Sequence, residues 1–230
     1  AEPRTADLTA VKRAYGRVMD AWMHVQPINF GPIELFMRNF RFPFWPSGGS
    51  RVEKALEASL AAKTPLSADQ LRRASVAVQG MPAAELLIFG TRSKDLRPGT
   101  RSCALLTAIS GNVAEIARGI VADWTGGRID FRKSVLQTGK NNPYFSTEKD
   151  VSLAYFKSLY EALELIVAAK LGPVAGGAKK GSVDDLESVV SGRTLRNIAL
   201  NIEAGQALYL GPDNDGFTAI VRAHGGDPKL

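Results

Sequence analysis

Residues 100–124 read TRSCALLTAISGNVAEIARGIVADW, and in this stretch Leu105, Ile109, Val113, Ile116, Ile120 and Trp124 recur every three or four positions. That is the period of one buried helix face, so the spacing predicts a long core helix from about Thr100 to Trp124. The same period appears on both sides. Leu8, Val11, Tyr15, Val18, Trp22 and Val25 mark a first helix that Pro27 ends. Ser50-Arg51-Val52-Glu53 and Ser67-Ala68-Asp69-Gln70 read as capping boxes, each opening a further helix carrying Val52, Leu56 and Leu60, then Leu71, Ala74 and Val78. Gly80–Gly90, GMPAAELLIFG, is a break followed by a short helix with Pro82 in its first turn, where a missing N–H costs nothing. Beyond residue 145 a second long helix is predicted over about 147–171, stopped by Gly172-Pro173. Helices near 182–190, 192–209 and 214–224 follow, with Leu195, Ile198, Ile202 and Tyr209 as the stripe of the longest.

No segment reads as a β-strand, so the expected fold class is all-α, a two-part helical bundle. Residues 1–125 form the first half, 146–230 the second, and 126–145, rich in glycine and asparagine, the connection. Residues 27–49, PINFGPIELFMRNFRFPFWPSGG, lack helical period over most of their length and form an aromatic, proline-rich excursion that something must cover.

The composition excludes several chemistries. The chain has 230 residues and a net charge of +6, and its basic pairs Lys12-Arg13, Arg72-Arg73 and Lys179-Lys180 are scattered, which argues against nucleic-acid binding. One cysteine, Cys103, forbids an internal disulfide and a multi-cysteine metal site; it reads as a small core residue. Two histidines, His24 and His224, leave little material for zinc helices or histidine-based acid/base schemes. No apolar run approaches the length of a membrane span. The start, Ala1-Glu2-Pro3, suits an exported protein whose signal has been removed and equally a chain trimmed for another reason. Residues 176–182, GGAKKGS, lack the spacing of a phosphate loop.

Several blocks then fall in a telling order: Phe30-Gly31-Pro32-Ile33-Glu34, Phe40–Pro46 (FRFPFWP), Gly80–Gly90, Lys170-Leu171-Gly172-Pro173, and Ser191–Asn197 (SGRTLRN) leading to Asn201-Ile202-Glu203. Together they resemble the imelysin family, also called the M75 peptidase or iron-regulated protein family. The resemblance implies a periplasmic or envelope-attached protein of two helical-bundle halves with a site near their junction. It implies a link to iron acquisition, with iron or another divalent metal, or an iron-containing ligand, as the bound species, and an envelope protein as a further partner. The family's domain usually continues past the Asn201 block, so this chain is expected to be either a short version or one whose end has been removed; if helices are missing, ligands are missing with them and the second half exposes an apolar face for a partner chain to cover.

The resemblance also locates the site. The family motif GxHxxE sets a histidine three residues before a glutamate on one helix face. Here Gly80 and Glu85 match, but Pro82 stands at the histidine position. A lone glutamate does not make a zinc peptidase, so binding without peptidase activity is expected. His24, at the end of the first helix, is the substitute ligand on which a peptidase would have to rely; read plainly, it suits a helix C-terminus. Glu85 lies in a segment apolar nearly all round and needs a cation, donors or a proton. It either contacts a metal or ligand or pairs with Arg38 or Arg41. Glu34, Arg38, Arg41, Trp45, Gly80 and Pro82 are the residues expected to line the site. Arginines among the rings of 38–45 suit an anion or aromatic ligand, or else pin the loop to the bundle. A third reading is a helical scaffold whose aromatic loop docks a protein partner, its mark being an exposed apolar patch around residues 36–45.

Overall fold

The computed structural model describes residues 5–46, 49–64, 67–175 and 182–227. Ten α-helices are present among them: α1 (Thr5–Val25), α2 (Arg38–Arg41), α3 (Gly49–Ala61), α4 (Ala68–Arg73), α5 (Met81–Phe89), α6 (Arg101–Trp124), α7 (Phe131–Leu136), α8 (Glu148–Glu164), α9 (Thr194–Leu210) and α10 (Phe217–Ala223). The described residues contain no strand. The fold is all-α, as the periodicity predicts.

Helix α5 is the centre of the molecule. Met81, Ala83, Ala84, Glu85, Leu87 and Ile88 are all buried, because a segment apolar on every side has no face to give to water. Around it pack Tyr15, Met19, Trp22 and Met23 of α1, Val52 and Leu56 of α3, and Leu105, Ile109, Val113 and Ile116 of α6. Leu200 of α9 joins the same core, and α1 lies along α9, so the two ends of the sequence meet. By length and composition alone α6 is apolar enough to cross a bilayer, and its Leu105, Ile109, Val113 and Ile116 are buried in the core.

Several local readings hold. Ser67 caps α4 by accepting from the Gln70 N–H, and Thr100 caps α6 by accepting from Cys103 N. Others need correction. Ser50 lies inside α3, which begins at Gly49. The helix read over 67–78 breaks after Arg73, where Ala74 turns extended, and Val78 is buried from a separate 3-10 turn. On α1, Val18 and Val25 are exposed while Met19 and Met23 take the core positions. The α9 stripe is rotated: Leu195 and Ile202 are exposed, and Asn197, Ile198, Leu200, Asn201 and Ala204 face inward.

The predicted helix over 182–190 is only a 3-10 turn, Val183–Asp185, followed by turns with Ser188 and Gly192 in the left-handed region. The helix over 147–171 changes character at its end: α8 runs to Glu164 and continues as a π-helix over Leu165–Leu171. Gly172 is right-handed rather than a left-handed cap; a Cβ there would lie 2.2 Å from the Ala168 carbonyl oxygen. Residues 176–181, including the basic glycine turn, lie outside the described residues.

The excursion after Pro27 is built of short turns and α2. It is covered only in part. Pro32, Ile33, Arg38 and Phe42 are buried, but Phe36, Met37 and Phe40 are each more than half exposed. Its end is fastened to α5, where Met81 N donates to the Phe42 carbonyl at 2.9 Å. Gly80 permits this approach, since a Cβ would lie 2.2 Å from that same oxygen.

Candidate functional site

Glu85 projects from α5 toward the turns that precede α9, and its Oε1 accepts from Ser191 N at 2.8 Å. Burial pushes its carboxyl above the usual range; Ser191 opposes the shift, and Glu187 adds to it. Tyr15 of α1 lies beside it. Burial first, then the charge of Glu85, hold the Tyr15 hydroxyl well above its ordinary value, against a hydrogen bond from Ser188.

Glu187 is the second buried carboxylate. Its Oε2 accepts from Lys170 Nζ at 2.7 Å and from Asn197 Nδ2 at 3.2 Å. Lys170 comes from the π-helical turn, is 1% exposed, and also reaches Asn201 Oδ1 at 2.5 Å and Gln26 Oε1 at 3.0 Å. Burial lowers the Lys170 pKa while Glu187 raises it. The Trp45 ring lies 5.6 Å from Nζ, and its indole Nε1 donates to the Asp185 carbonyl at 3.2 Å, so the excursion closes over this ion pair. Asp20 of α1 binds Arg193, and Arg196 at 2.7 Å, which clamps α1 to α9 beside the site.

A junction therefore forms from Tyr15, Glu85, Lys170, Glu187, Ser188, Ser191 and Arg193. Of the residues expected to line the site, Glu85 and Trp45 belong to it. Gly80 and Pro82 support it from the start of α5. His24 does not reach it: the ring is exposed and its Nδ1 donates to the Asp20 carbonyl at 2.7 Å, one turn back on α1. Glu34 accepts from Gly31 N at 3.1 Å. Arg38 and Arg41 are engaged elsewhere than at Glu85. Arg38 pairs with Asp123 at 2.8 Å and donates to the Pro32 carbonyl at 2.8 Å. Arg41 donates to Gln79 Oε1 and Asn112 Oδ1, both at 2.8 Å.

Sequence reasoning missed Lys170, Glu187, Ser188 and Tyr15 as site residues. The usable signal was Lys170, a charge at the end of the apolar run Leu165–Ala169, which calls for a buried partner. The Tyr15 side chain also lines a long apolar groove of about 1170 Å³ between α1 and α6, walled by Val11, Val18, Trp22, Leu106, Val113 and Val121 among others. Cys103 stands half-buried on its edge.

A peptidase-type zinc site does not fit these residues. The donors are oxygens, Lys170 already holds Glu187, and the described residues contain no group of three His, Cys, Asp or Glu placed to share an ion.

The family model described as imelysin, peptidase M75, matches residues 1–230. The chain belongs to the imelysin family. It is 22% identical over 219 residues to iron-regulated protein A of Synechococcus elongatus, covering 94% of this chain and 56% of that protein. An imelysin-like protein of Psychrobacter arcticum 273-4, known from a crystal structure, shares the fold with a TM-score of 0.66 at 19% identity, over 96% of this chain and 64% of that one. The chain thus spans just over half the length of the curated relative it matches.

Proposed function

We propose that this imelysin-family chain serves iron acquisition in the periplasm or cell envelope by binding ferric iron within an apolar chelate, without cleaving peptides. The observation that carries the reading is the position of Tyr15, shared between the apolar groove and the buried carboxylate Glu85. A phenol and carboxylates are hard oxygen donors, and the groove offers an apolar wall to the body of a chelate. Pro82 at the motif's histidine position, and His24 exposed and bonded to the Asp20 carbonyl, support the reading without peptide cleavage, since a peptidase would need nitrogen ligands here.

The test is a titration with ferric nitrilotriacetate and with iron protoporphyrin, alongside Tyr15→Phe, Glu85→Ala and His24→Ala. Stoichiometric uptake with a visible phenolate-to-iron absorption, lost in Tyr15→Phe, weakened in Glu85→Ala and unchanged in His24→Ala, is expected. Chelator-sensitive cleavage of an unfolded protein would overturn the reading in favour of the enzyme. A second reading, a scaffold for an envelope protein partner, is favoured by the exposed Phe36, Met37 and Phe40. It takes precedence if neither iron species binds.

A further inference from the structure

Phe30, Gly31 and Glu34 of the first sequence block lie outside the Glu85 junction and line a pocket of their own. This pocket, about 240 Å³, is walled by Phe30, Phe131, Tyr144 and Phe145, with Glu34 on its lining. It contains none of the junction residues. We propose that it binds a small alkylammonium cation, with the rings receiving the alkylated head and Glu34 supplying the countercharge.

Three observations carry the assignment. First, the rings form a built surface. Phe30 stands 6.1 Å from Phe131 and 6.4 Å from Phe145, and Phe131 stands 5.0 Å from Tyr144 and 5.8 Å from Phe145, all tilted or edge-on. Their support is rigid. Asn142 accepts from the backbone of Tyr144 and Phe145 at 2.8 and 2.9 Å and donates to the Ser134 and Gln137 carbonyls, fixing the loop that presents both rings. Gly31, at φ +74°, lets Phe131 lie against the backbone; a Cβ there would stand 2.5 Å from the ring.

Second, these rings are free of internal cations. The cation-over-ring contacts among the described residues use Phe89, Phe36 and Trp45, and the basic neighbour Arg128 is spent on Phe36 at 4.9 Å. Third, Glu34 is exposed, spends Oε2 on Gly31 N, and has no ion-pair partner among the described residues. Phe30 and Tyr144 keep ring surface open to solvent above the buried Phe131 and Phe145, and open aromatic surface beside a carboxylate without an ion pair is the chemistry that recognises quaternary and methylated ammonium groups. The volume lies below the range of drug-sized sites, which restricts the occupant to a head group of a few heavy atoms.

The probes are tetramethylammonium and choline, titrated by calorimetry and by the fluorescence of Trp124, whose ring lies 5.0 Å from Phe131. The control is the neutral carbon isostere of choline, with tert-butyl in place of trimethylammonium. Saturable choline binding at one site is expected, about tenfold tighter than the isostere. It should weaken by a similar factor in Glu34→Gln and in Tyr144→Leu, two exposed positions whose variants are checked for unchanged circular dichroism. Sedimentation with phosphatidylcholine and phosphatidylglycerol vesicles separates a lipid head group from a free ligand as the source. Equal affinity for the neutral isostere, unchanged affinity in Glu34→Gln, or no saturation at tens of millimolar choline would each overturn the assignment.

Discussion

Lys170 Nζ and Glu187 Oε2 sit 2.7 Å apart, with both side chains almost wholly removed from water. Such a pair offsets desolvation only while both partners and their hydrogen bonds are in place. Lys170→Met therefore leaves Glu187 charged and buried, and is expected to cost about 3–5 kcal/mol in urea unfolding. The double variant Lys170→Met with Glu187→Gln should regain a large part of that loss. A single variant as stable as the parent would show that water reaches the pair.

Glu85 makes the opposite contribution. Its carboxyl titrates above the usual range in the folded state because burial disfavours its charge. The folded state therefore holds a proton that the unfolded chain has released, and stability falls as pH rises from the ordinary glutamate range through the folded value. Glu85→Gln keeps an acceptor for Ser191 N and removes the charge. Melting temperatures should be higher than the parent's at neutral pH, and the acidic slope shallower. An unchanged slope would assign the pH dependence elsewhere.

Asp20 governs the acid limit. Hydrogen bonding to Arg196 and then Arg193 lowers its carboxyl from 3.8 to about 2. Its stabilisation is complete above the unfolded value and is lost as pH drops from about 4 toward 2. Because the clamp is partly open to water, Asp20→Asn should cost about 1 kcal/mol at neutral pH and flatten unfolding between those limits. Chemical denaturation at pH 7 and pH 3 measures both.

Gly80→Ala tests the fastening of the excursion. The added methyl meets the Phe42 and Arg41 carbonyls at 2.2 and 2.4 Å, backbone atoms that cannot swing aside. A loss of about 1–3 kcal/mol is expected. Thermal unfolding checks the cost, and an increase in Trp45 fluorescence quenching by iodide would report the loosened loop.

The helices were legible because a buried face repeats in sequence. Leu105, Ile109, Val113 and Ile116 announce α6, and all four are buried. The position of Glu85 was legible for a related reason, since a carboxylate inside MPAAELLIF has nowhere wet to go. What surrounds it was not. Ser188, Ser191 and Glu187 arrive on turns over 182–193, where spacing carries no phase, and that stretch reads as a helix by composition. Lys170 points inward because the last turns of its helix are wide, and periodicity at 3.6 assigns such a residue no face. Likewise, Asn197 and Asn201, set four apart on α9, read as a polar face, yet both are buried against Glu187 and Lys170.

The clamp of Asp20 by Arg193 and Arg196 joins residues 173 and 176 positions apart, and Asn201 reaches the Met23 carbonyl across 178. On a ribosome, α1 emerges with Tyr15, Met19, Trp22 and Met23 already made, while the helix that covers part of them is still unwritten. At ordinary rates of elongation the delay is on the order of ten to thirty seconds. Throughout that interval α1 has α5 and α6 to pack against but not α9, so the face it gives to α9 stays open until synthesis has passed that helix.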